Sequence, residues 1–72
     1  MIERSHDRRG REQTTAAILE AAEGLFSEQG FSAVTVRAIA ERAGVSHALV
    51  HRYLGSKDDI YRAVLVARTE PR

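Results

Sequence analysis

Apolar residues recur along this chain at helical spacing. Ile18, Ala22, Leu25 and Phe26 fall at i, i+4, i+7 and i+8, with Leu19 and Ala21 widening the stripe and acidic residues mostly opposite. The pattern predicts a helix over Glu12–Gln29, which Gly30 can end in a left-handed conformation before Phe31 turns back to the core. A second apolar face, Val36, Ile39, Ala40 and Ala43, follows Thr35, whose hydroxyl can cap a helix start, and stops at Gly44. A third segment, His47–Leu54, opens on Ser46 and ends at Gly55; Val50, Leu54 and part of Tyr53 form its apolar side. A fourth, Lys57–Arg68, opens on Ser56. It has Asp58 and Asp59 in its first turn, where the helix dipole favours anions, and Pro71 to stop it.

The fold expected is therefore all-α, four helices with tight turns and no strand between residues 35 and 55. The predicted core is Ile18, Ala22, Leu25, Phe26, Phe31, Ile39, Ala40, Val45, Val50, Leu54, Ile60 and Val64. Tyr61 and Leu65 make a second stripe on the fourth helix. Residues 1–10 carry little apolar content and read as a flexible basic arm ahead of a domain over residues 11–68.

Size and composition narrow the function. With 72 residues the chain is one small domain with a thin core, which argues against a large substrate pocket. The absence of cysteine removes disulfides and thiolate metal sites. No apolar run exceeds five residues, and no signal-peptide pattern opens the chain, so no membrane partner is expected and the expected location is the cytoplasm.

The net charge of +1 conceals an uneven distribution. Residues 1–11 hold Arg4, Arg8, Arg9 and Arg11 against Glu3 and Asp7. Residues 12–36 hold Glu12, Glu20, Glu23 and Glu28 with no Lys or Arg. Residues 37–57 hold Arg37, Arg42, Arg52 and Lys57 against Glu41 alone. A basic arm with one basic central segment is a footprint to test for nucleic acid.

That central segment is where two short helices meet at a Gly-containing turn, as in a helix-turn-helix. If Ile39, Ala43, Val45, Val50 and Tyr53 point inward, then His47, Ala48, Leu49, His51 and Arg52 point outward. A face of basic, imidazole and small apolar groups without an acid suits a major groove lined by phosphates and base edges.

The segment AGVSHALVHRYLGSKDDIYRAVL, with TVRAIAERAGVS and ILEAAEGLFSEQGF before it, resembles the DNA-binding domain of tetracycline-repressor (TetR) family regulators over about Arg11 to Ala67. The motifs occur in order: LF…GF, T-V-R-x-I-A, A-G-V-S and S-K-D. The resemblance implies a three-helix unit and a linking fourth helix that together bind one half-site of a palindromic double-stranded operator, with repression as the expected outcome. It also implies a further helical domain that dimerises and binds a small molecule; this chain is expected to lack it, as a fragment or a short family member.

The resemblance implies base reading by Arg37, His47, Ala48 and Leu49, with His51 and Arg52 on the same face. It implies phosphate contacts from Thr35, Ser46, Tyr53 and Lys57. Two positions depart from the family: His51 stands where Tyr is common and Leu54 where Phe is common, which puts a tyrosine–phosphate contact in doubt and leaves a smaller core plug.

The rival readings are weaker. His47 and His51 share a helical face but lack a third metal ligand nearby, and adjacent Asp58 and Asp59 point about 100° apart on a helix. No nucleophile–base pair or phosphate loop supports an enzyme, and no cofactor is expected. A small helical protein-interaction module, docking through Tyr61 and Leu65, is the alternative to DNA binding.

Overall fold

The computed structural model describes the backbone of residues 2–69 and the side chains of residues 10–69. Its four helices are α1 (Ile2–Gln29), α2 (Val36–Ala43), α3 (His47–Tyr53) and α4 (Lys57–Thr69), and no strand occurs among the described residues. α2 and α4 both pack on α1, while α3 lies against α2 and reaches α1.

α1 starts at Ile2 where the apolar pattern predicts Glu12. The earlier segment has no apolar stripe, but it holds no proline, and its Glu and Arg residues are good helix formers, so the helix extends through the expected arm. The side chains of Arg4, Arg8 and Arg9, and the stop expected at Pro71, lie outside the described residues. The remaining boundaries agree with the pattern to within one residue: α3 ends at Tyr53, with Leu54 as its C-cap, and α4 at Thr69.

The buried core is Ile18, Ala21, Ala22 and Leu25 of α1, Val34 of the α1–α2 turn, Ile39 and Ala40 of α2, Val50 of α3, and Ile60 and Val64 of α4. The four from α1 sit at i, i+3, i+4 and i+7, one continuous stripe. Four residues expected in the core are only half-buried: Phe26, Phe31, Val45 and Leu54. Phe26, Val45 and Leu54 pack on the core from outside.

The two phenylalanines form its rim. Their rings stack with centroids 5.6 Å apart, and the Tyr61 ring meets them edge-on at 5.3 and 5.0 Å. Three bulky rings around one helix end shield the smaller aliphatic side chains, so each ring stays partly in water.

The start of α4 is fixed by a reciprocal cap. The Ser56 backbone N–H and hydroxyl both donate to Asp59 Oδ2, at 3.0 and 3.1 Å, and the Asp59 N–H donates back to Ser56 Oγ at 3.3 Å. Gly55, at φ +104°, leaves room for that carboxylate, which a Cβ there would strike.

The Asp59 carboxyl is held below the ordinary carboxylate range, first by the Ser56 backbone N–H and then by the Ser56 hydroxyl. Glu28 is lowered in the same sense by the hydrogen bond and charge of Arg42. A folded-state pKa below the unfolded value stabilises the fold above the unfolded pKa, near 4, and that contribution is lost as pH falls through the folded value. The thermal midpoint is therefore expected to drop as pH falls below about 4. Asp59→Asn, which keeps an acceptor but does not titrate, should flatten part of that drop, and adding Glu28→Gln should flatten it further. An unchanged pH profile in the double variant would contradict this origin.

Candidate nucleic-acid interface

The α2–α3 unit is positioned by three backbone devices written in the sequence. Thr35, in extended conformation, accepts the Ala38 N–H on Oγ1 at 3.0 Å and so caps α2. Ser46 does the same for α3, accepting the Leu49 N–H on Oγ at 3.1 Å.

Between them Gly44 adopts φ +77°, ψ 29° and closes a Schellman motif. Its N–H donates to Glu41 O at 3.2 Å, and the Val45 N–H donates to Ala40 O at 3.0 Å. The left-handed geometry strains any residue with a Cβ, and the motif folds Val45 back over buried Ala40. This is why the turn from α2 to α3 needs only Gly44, Val45 and Ser46.

The turn seats α3 by one buried residue, Val50. Opposite it, His47, Ala48, His51 and Arg52 are exposed, as the pattern predicts; Leu49, expected outward with them, is half-buried. The i, i+4 pairs His47/His51 and Ala48/Arg52 form two adjacent rows along the helix. The imidazoles meet edge-on, ring centroids 4.7 Å apart at 84°. Arg37 is exposed in the first turn of α2.

Both capping hydroxyls use their oxygen inward, which leaves the O–H hydrogen of Thr35 and of Ser46 able to donate outward. α3 carries no acidic residue.

Three features were not legible from the pattern. Arg11 of α1 lies over the Tyr53 ring, 5.1 Å from its centroid, so the phosphate candidate at the end of α3 has a cation beside it. Arg42 turns away from α3 to pair with Glu28 of α1 at 3.0 Å. Lys57, also counted in the basic segment, faces inward: Nζ donates to Phe31 O and Val34 O, each at 2.9 Å, and sits 4.3 Å from the Phe31 ring centroid. Among the described residues, the cations of the segment with no such partner are Arg37 and Arg52, on the α2 and α3 surface.

Residues 18–64, which span all of this geometry except Arg11, match the family model described as bacterial regulatory proteins, tetR family. The chain belongs to the tetR family. Curated relatives agree. One is the HTH-type transcriptional repressor Rv3405c of Mycobacterium tuberculosis, 52% identical over 56 residues that cover 78% of this chain and 30% of the relative. Another is the HTH-type transcriptional regulator HbdR of an Aromatoleum species, 47% identical over 49 residues, 68% of this chain and 21% of the relative. A third is the HTH-type transcriptional regulator BetI of Rhizobium meliloti, 45% identical over 49 residues, 68% and 24%. The tetR-family chain thus spans less than a third of the length of these relatives. No solved structure matches it at a significant level.

Proposed function

We propose that this chain binds double-stranded DNA as the recognition unit of a transcriptional regulator, a repressor in its expected mode, with α3 in the major groove. The observation that carries the reading is the exposed, acid-free face of α3, made of His47, Ala48, His51 and Arg52 on a helix seated by a tight capped turn.

On this reading Arg37, His47, Ala48, Leu49, His51 and Arg52 reach base edges, with Leu49 limited to its exposed edge. Thr35 and Ser46 donate their hydroxyl hydrogens to phosphates, and Tyr53 reaches the backbone beside Arg11. Dimerisation on a palindromic operator and small-molecule control belong to a further domain of the full-length regulator. A regulator acting on bacterial DNA works in the cytoplasm, and no described helix is long and apolar enough to cross a membrane.

The protein-interaction alternative depends on Tyr61 and Leu65, which are 38% and 41% exposed on α4. The Tyr61 ring packs against both phenylalanines yet stays exposed beside Leu65, so the stripe is open; the acid-free face of α3 is what favours DNA over a docked helix.

Fluorescence anisotropy of a labelled random duplex tests the choice. Binding with Kd on the order of 10⁻⁴–10⁻⁶ M that weakens steeply from about 50 to 200 mM salt is expected. Once an operator is selected, His47→Ala should change the preferred sequence, and Arg52→Ala should weaken binding. Salt-independent binding, or none at low salt, would reject the reading.

A further inference from the structure

His47 and His51 stand one helical turn apart on the exposed face of α3. Their rings meet edge-on, with centroids 4.7 Å apart and planes at 84°. In such a pair the electropositive rim of one ring points at the electronegative face of the other. A proton on the ring that offers its rim strengthens the contact, as a cation over an aromatic face does. A second proton would set two like charges side by side. The geometry therefore favours one proton on the pair and opposes a second.

The charged groups around α3 leave that proton without a counterion. On α3 itself the neighbours are Arg52 and Tyr53, and the helix has no acid. α2 contributes Arg37, Glu41 and Arg42, of which Arg42 is paired with Glu28. α1 contributes Glu12 and Arg11, the latter over the Tyr53 ring. The start of α4 contributes Lys57, held by the Phe31 and Val34 carbonyls, Asp58, and Asp59, held by Ser56. Among the described residues the ion pairs are Arg42–Glu28 and Arg68–Glu23, so neither imidazole has a carboxylate partner.

A duplex supplies the missing negative charge. With α3 in the major groove, the pair lies between phosphates, whose field favours the charged ring over the neutral one. Histidine is also the side chain whose charge ordinarily changes between about pH 5 and 8.

We propose that His47 and His51 form one proton-linked unit: the pair takes up a single proton as α3 enters the major groove, so that affinity for duplex DNA falls as pH rises. The inference rests on the DNA-binding reading above and adds how that same face is regulated.

Linkage fixes the sign and the size. A proton taken up on binding favours the complex at low pH, and one proton changes affinity by at most about tenfold per pH unit. The same proton adds a cation to the interface, which steepens the slope of log K against log salt by up to about 0.9.

The experiment measures anisotropy of a labelled duplex from about pH 6 to about pH 8 over a salt series. The remaining histidine, His6, is replaced throughout by His6→Gln, so that α3 carries the only imidazoles. This parent is compared with His47→Gln, His51→Gln and the double variant, whose amides hydrogen-bond but do not titrate; circular dichroism checks that each is folded. Calorimetric titration of the parent into duplex, in two buffers of different ionisation enthalpy, counts the protons taken up.

The parent should bind about tenfold more weakly at the upper end of the range, with a shallower salt slope, and should take up about one proton. The double variant should show no pH dependence, whatever its absolute affinity. Each single variant lacks the partner ring and should show a smaller fall than the parent, which decides the matter if the double variant does not fold. A pH-independent parent, a double variant that keeps the full pH dependence, or single variants that match the parent would overturn the proposal. Uptake of about two protons would make the imidazoles independent of each other and overturn the single unit. Failure of the unsubstituted chain to bind any duplex at low salt, at either end of the range, rejects the DNA reading itself, a separate result.

Discussion

Ile39→Ala is expected to leave most of the chain unfolded at room temperature. Ile39 is fully buried, and with Ala40 it is one of two buried residues on the two turns of α2. Truncating a buried isoleucine costs about 2–5 kcal/mol, through lost transfer energy and the cavity left behind. A single core in a chain of this size rarely supplies more than about 3–5 kcal/mol, so the loss is comparable with the whole stability.

Collapse of the surroundings offers little relief, because the neighbouring α2 core residue is already alanine and α1 contributes Ala21 and Ala22 to the same core. Ile39→Val, which removes one methylene, should cost about 0.5–1.5 kcal/mol and keep the chain folded. Urea unfolding followed by circular dichroism measures both. A cost below about 1 kcal/mol for Ile39→Ala would mean that α2 is not seated on the core as described.

The parts of the fold that could be read from sequence are those decided by neighbours in the chain. Thr35, Ser46 and Ser56 cap the helix that follows each of them, and Gly44 and Gly30 take positive φ where the apolar periodicity stops. Local chemistry also placed the exposed face of α3, because burial of Val50 fixes the phase of so short a helix.

What could not be read depends on distant partners. Val34 lies in a turn, where no periodicity marks an inward residue, yet it is buried by the helices around it. Phe26 and Phe31 were expected in the core because they are large and apolar; their packing with Tyr61 makes them its rim.

Charge was the least legible property. A sequence shows that Arg42 and Lys57 are cationic but not that one pairs with Glu28 and the other with carbonyls 26 and 23 residues away. Counting charges along the segment therefore overstated the basic surface near α3, and it left out Arg11, which arrives from α1.

Joining two copies of the chain through an unrelated dimer of suitable span is expected to tighten binding to a palindrome by about 10²–10⁴-fold over binding to one half-site. The DNA-binding reading requires it, on grounds of length. α3 has seven residues and is about 10 Å long at 1.5 Å per residue, so it spans about three base pairs at 3.4 Å each. Two half-sites about 34–36 Å apart present the groove on the same side of the duplex, where two copies of α3 can enter together.

Once the first copy is bound, the second samples its half-site at an effective concentration near millimolar for a short linker. That is high compared with the 10⁻⁴–10⁻⁶ M dissociation constant expected of one copy on non-specific DNA. Anisotropy on a palindrome, on a lone half-site and on a palindrome whose half-sites are moved apart by half a helical turn measures the gain. The third duplex puts the second groove on the opposite face and should return the affinity to the half-site value. Equal affinity for all three duplexes would show that the two copies do not read DNA together. Nanomolar, salt-resistant binding of the single chain to a lone half-site would show that contacts beyond α3 and its caps dominate recognition.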